Sequence, residues 1–92
     1  MTNYLDFAIR ICQYEIYWRE REILDLQEEI HFFDEINFHP LQYYFVEEKR
    51  HHLIREIHQL DMEIRQWNDE LSTLTTKSLT EALMAGIGEF FQ

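Results

Sequence analysis

Two stretches of the chain bring together residues that could do chemistry, Glu28-Glu-Ile-His31 and Glu48-Lys-Arg-His51. Residues three apart share a helical face, so each stretch sets a carboxylate beside an imidazole, a pairing whose chemistry would be metal ligation. Against that, His51, His52 and His58 lie among Lys49, Arg50 and Arg55, and positive charge opposes a bound cation. Solvated or partner-bonded surface histidine is the default reading, and no metal and no cofactor is the first expectation. Other chemistry has less to work with. Cys12 is the one cysteine, so an internal disulfide and a cysteine zinc site are both excluded. The serines sit toward helix ends, and no Gly-rich turn is present to cradle phosphate or shape an oxyanion hole. No catalytic residue is assigned, and a non-enzymatic role is expected.

The elements that carry these residues are set by an apolar repeat in two halves. Leu5, Ile9, Cys12, Ile16, Arg19, Ile23, Leu26, Ile30 and Phe33 alternate steps of three and four, as do Val46, Arg50, Leu53, Ile57, Leu60, Ile64, Trp67, Leu71 and Leu74. That spacing is the seam of a coiled coil. Between the halves, Asn37-Phe-His-Pro40 disfavours helix before the proline and suits a new helix after it. The expected fold is all-α: a long antiparallel two-helix coiled-coil hairpin in a single domain, residues 1–92, completed into a bundle by oligomerisation. Helix one is expected over residues 3–38, capped by Asn3, and helix two over 40–75. A short amphipathic helix over 78–91 is expected to open at a Ser78 to Glu81 capping box after the Ser72 to Thr76 run weakens helix two. Folding the arms at the turn pairs Ile30 with Val46, Ile23 with Leu53, Ile16 with Leu60 and Ile9 with Trp67. Arg19 then falls opposite Ile57, and Arg50 opposite Leu26. Flanking carboxylates meet across the seam, Glu15 near Glu63 and Glu22 near Glu56, so Arg19 and Arg50 are read as register-fixing cations that relieve this repulsion.

A second stripe, Tyr4, Phe7, Ile11, Tyr14 and Trp18, repeats the three-four spacing on the outward face of helix one. A hairpin alone leaves it exposed, and a patch of that kind marks an interface. These five residues are the expected protein-binding surface, covered by the C-terminal helix folding back, by another copy of the chain, or by an unidentified protein partner.

The two Glu-x-x-His stretches resemble the ligand motif of ferritin-like di-iron proteins, and Glu47-Glu-Lys-Arg-His51 with the hairpin layout resembles the short two-helix members that assemble from several chains. The resemblance implies an alternative function, an iron-binding oligomer that oxidises ferrous iron, with Glu28, His31, Glu48 and His51 as ligands and iron as cofactor.

Composition bounds the remaining classes. Eighteen Asp and Glu against eight Lys and Arg give a net charge of −10, which repels nucleic-acid phosphates and anionic lipid. No direct nucleic-acid contact and no membrane contact are expected. An acidic helical rod could still imitate nucleic acid in a partner's basic cleft, a second alternative. No run reaches the roughly 20 apolar residues of a bilayer span, and a lone seam cysteine fits a reducing cytoplasm. The sequence therefore reads as a cytoplasmic homo-oligomer that serves as an assembly, adaptor or inhibitor protein and presents an acidic helical surface.

Overall fold

The computed structural model describes residues 4–91, with side chains through residue 86. It is an antiparallel helical hairpin: α1 spans Tyr4–Glu35, a 3-10 turn spans Pro40–Gln42, and α2 spans Tyr43–Phe91. No strand occurs among the described residues. The molecule measures 78 × 19 × 16 Å, the proportions of a rod two helices wide.

Every residue of both seam repeats is buried or half-buried. The most enclosed are Leu5, Cys12, Leu26, Leu53 and Ile64, with Leu53 only 1% exposed. Two helices give each seam side chain one facing partner and no third layer, so few are fully covered. Burial pushes the Cys12 thiol above the usual thiol range, and the Glu70 carboxylate across the seam adds to the shift.

The turn is built by His39. Its backbone is extended at φ −62° and ψ 141°, its Nδ1 accepts from the Leu41 N–H at 3.1 Å, and its own N–H donates to Gln42 Oε1 at 3.1 Å. Pro40 follows at the first helical position, where it has no N–H to waste. Phe33 and Phe38, 6.0 Å apart between ring centroids, close the turn from inside.

The Arg19 head group leaves the seam for Glu15 and Glu63, the two carboxylates expected to need a cation, while Arg50 pairs with Asp34. Two expectations about helix ends need correction. Helix one stops at Glu35 rather than residue 38, because residues 36–39 are taken up by the turn; its Asn3 cap lies outside the described residues. Finally, helix two does not end near residue 75, and there is no separate helix over 78–91. α2 runs unbroken to Phe91. The threonines expected to weaken it are accommodated inside it: Thr73 Oγ1 donates to the Asp69 carbonyl at 3.0 Å and Thr80 Oγ1 to the Thr76 carbonyl at 2.9 Å. Each hydroxyl bonds back one turn, which leaves the helical path intact.

Candidate interaction surface

The stripe on the outer face of α1 is open to solvent. Tyr4 is 82% exposed, Tyr14 65% and Phe7 58%, with Ile11 and Trp18 near two-fifths. Their side chains share one line because steps of three and four track a single helical face, and the seam residues between them hold the opposite face against α2. The C-terminal part of α2 does not fold back over the stripe. It continues straight past the start of α1, and residues 79–86 are exposed along their whole length. Exposed Tyr17 widens the stripe on one side; its position beside Tyr14 and Trp18 was the signal available in the sequence.

Trp18 ties the stripe to the seam. Its Nε1–H donates to Glu15 Oε2 at 3.1 Å, and the Arg19 guanidinium lies 4.4 Å from the Trp18 ring centre and 5.6 Å from that of Trp67. Arg19 Nε donates to Glu63 Oε1 across the hairpin at 3.0 Å. Arg19 Nη1 donates to the Glu15 carbonyl at 2.9 Å and also to the Glu15 carboxylate. The seam arginine therefore occupies the space between two carboxylates from different helices, with aromatic rings above and beside it. Desolvation works against its charge, but the hydrogen bonds to Glu15 and Glu63 outweigh that and raise its pKa further. Arg50 is placed differently. Its Nε lies 3.1 Å from Asp34 Oδ1 without making an aligned hydrogen bond, and that nitrogen is shielded from solvent.

Hydrogen bonds from Arg19 and then Trp18 hold the Glu15 carboxyl below the usual carboxylate range. A carboxylate whose folded pKa is depressed stabilises the fold above its unfolded pKa, about 4.3, and loses that contribution as pH falls through the folded value. Melting followed by circular dichroism at pH 7 and pH 3 is expected to show a smaller acid-induced drop for Glu15→Gln than for the parent. Parallel drops would mean that this carboxylate is not linked to folding.

The Glu-x-x-His residues are not brought together. His31 Nε2 pairs with Glu35 at 3.0 Å, His51 Nε2 with Glu47 at 3.7 Å, and Glu48 accepts from the Tyr44 hydroxyl at 3.0 Å. Glu28 is exposed on α1. Among the described residues no group of three or more His, Cys, Asp or Glu is arranged to hold a metal ion. Iron ligation by Glu28, His31, Glu48 and His51 would need ligands gathered from several chains, as the ferritin-like resemblance implies.

A second apolar cluster, not anticipated in the sequence, sits at the turn. Leu41, Tyr43, Tyr44 and Phe45 are all exposed, with Tyr44 and Phe45 rings edge to face at 5.7 Å. The signal was present: consecutive large residues cannot all face a seam that takes only Val46. No described helix is long and apolar enough to cross a membrane.

The fold and surface define an all-α helical hairpin with an unpartnered aromatic face. No family model, no curated protein and no solved structure matches the chain.

Proposed function

We propose that this chain is a non-enzymatic assembly protein that joins other chains through the outer face of α1, with Tyr4, Phe7, Ile11, Tyr14 and Trp18 as the contact. The exposure of that stripe carries the reading, because five large side chains in one line leave more apolar surface in water than scattered exposed residues would. Trp18 and Tyr14 are the expected energetic centre, since large rings lose little conformational freedom on binding and dominate interface energies. Charge supports this choice of face. Residues 4–18 carry only Asp6, Arg10 and Glu15 out of a chain with a net charge of −10, so contact there brings together the least repulsive part of an acidic rod. Arg19 and Arg50 hold the two helices in the register that presents the stripe. The buried Cys12 fits a reducing cytoplasm as the working compartment.

Sedimentation velocity on the parent chain and on the Tyr14→Ala/Trp18→Ala double variant tests the reading. Alanine keeps the helix, so helicity by circular dichroism is expected to survive while association weakens by about a hundredfold or more. Unchanged association with an intact fold would remove the stripe from the interface.

A further inference from the structure

The two helices differ in length: α1 has 32 residues and α2 has 49. At 1.5 Å per residue the difference is about 25 Å, and most of it projects at one end, because among the described side chains the last half-buried one of α2 is Ser78 and residues 79–86 are exposed. This extension carries Leu79, Leu83 and Met84, each more than three-fifths exposed, and in sequence Ile87 and Phe90 continue the apolar spacing of Leu79 and Leu83. A single amphipathic helix of this length is marginal in water without a surface to cover it. Its own stripe is out of reach, because α2 passes through residues 72–80 with no break at which the chain could reverse.

Resting on the reading of the α1 stripe as an interface, we propose that the occupant of that stripe is the α2 extension of a second copy, in a reciprocal two-fold dimer. The hairpins meet at their open ends. Each extension, continuing past its own α1, enters the space alongside the partner's α1 and runs parallel to it, with Leu79 beside Tyr4 and Leu83 beside Phe7. Lengths agree: residues 79–91 and the stripe from Tyr4 to Trp18 both span roughly 20 Å. The arrangement is self-complementary, so both extensions and both stripes are covered and the assembly closes at two chains. Charge agrees as well, since residues 79–91 contain only Glu81 and Glu89, and the strongly acidic parts of the two rods stay apart. Fully buried aromatics contribute about 150–250 Å² each. Two copies of a contact containing Tyr4, Phe7 and Tyr14, together with the Leu79 and Leu83 surface that covers them, reach about the 1,000 Å² of a stable interface.

Site-directed cross-linking tests the geometry in the full-length chain. Arg10→Cys and Met84→Cys sit at the rim of the proposed contact, and Cys12 can remain because it is buried. Mixing the two single variants with a short bis-maleimide is expected to give a covalent heterodimer, while neither variant alone cross-links, because like positions lie far apart across the two-fold axis. Leu79→Glu/Leu83→Glu changes only exposed positions of the single hairpin and is expected to weaken association at least about tenfold at unchanged helicity in the hairpin. A dimer that survives Leu79→Glu/Leu83→Glu, or that yields no mixed cross-link, overturns this occupant. If that same dimer is still lost on Tyr14→Ala/Trp18→Ala, the stripe remains the interface for another face of the second copy. A parent chain that is monomeric at all concentrations overturns both the occupant and self-assembly through the stripe.

Discussion

Leu53→Ala is expected to lower the stability of the hairpin by about 3 kcal/mol, enough to leave a two-helix unit of this size largely unfolded at 37 °C. Leu53 is the most enclosed large side chain, 1% exposed, and truncation removes both the transfer energy of the lost methyl groups and the packing of the cavity that remains. The effect is large because little else compensates. Among the described residues only Leu5, Cys12, Leu26, Leu53 and Ile64 are buried, against a total stability of about 5–15 kcal/mol for ordinary domains and less for small ones. Met62→Ala, an exposed position on the same helix, is expected to change stability by no more than about 0.5 kcal/mol. Urea unfolding followed by ellipticity at 222 nm separates the two. Equal shifts would mean that seam packing does not hold the arms together. If the chain also associates through folded copies, the midpoint rises with protein concentration in the parent, and the comparison must be made at one concentration.

Leu53 could be named from sequence alone because it lies in the middle of an uninterrupted three-four repeat, and that pattern was legible for all eighteen seam positions. The outward stripe was legible for the same reason. What could not be read was set by forces the repeat does not encode. The Asn-to-Pro signal marks where the chain reverses but not how: the His39 cap and the 3-10 step through Gln42 take up residues that helix one was expected to hold, so α1 ends at Glu35. The end of α2 was misplaced because serine and threonine are weak helix formers only on average. Thr73 and Thr80 return their hydroxyls to carbonyls one turn back, and the propensity cost, a few tenths of a kcal/mol per residue, is too small to stop a helix already held by Leu71 and Leu74. The Glu-x-x-His stretches show the converse: sequence spacing puts each pair on one face, but His31 takes Glu35 one turn onward and His51 takes Glu47 one turn back.

Coupling between Arg19 and Glu63 gives the register an energetic test. Arg19→Ala is expected to cost about 1–2 kcal/mol. It removes charge-assisted hydrogen bonds, typically about 1.5–3 kcal/mol each when well sheltered, discounted here because Glu63 retains solvent access. It also strips the guanidinium from between Trp18 and Trp67 and leaves Glu15 and Glu63 facing one another without a cation. Removing the carboxylate instead, by Glu63→Ala, leaves Arg19 its bonds to Glu15 and is expected to cost less. Because the two residues touch, the double variant is expected to be about 1 kcal/mol more stable than the sum of the single losses predicts. Glu56→Ala serves as the control, since Glu56 lies two turns from Glu63 on the same helix and pairs with His52. Strong coupling of Arg19 to Glu63 and none to Glu56 fixes the arms in the observed alignment. The reverse result would slide the arms by about two turns, lengthen the projecting part of α2, and with it withdraw the length match on which the reciprocal dimer depends.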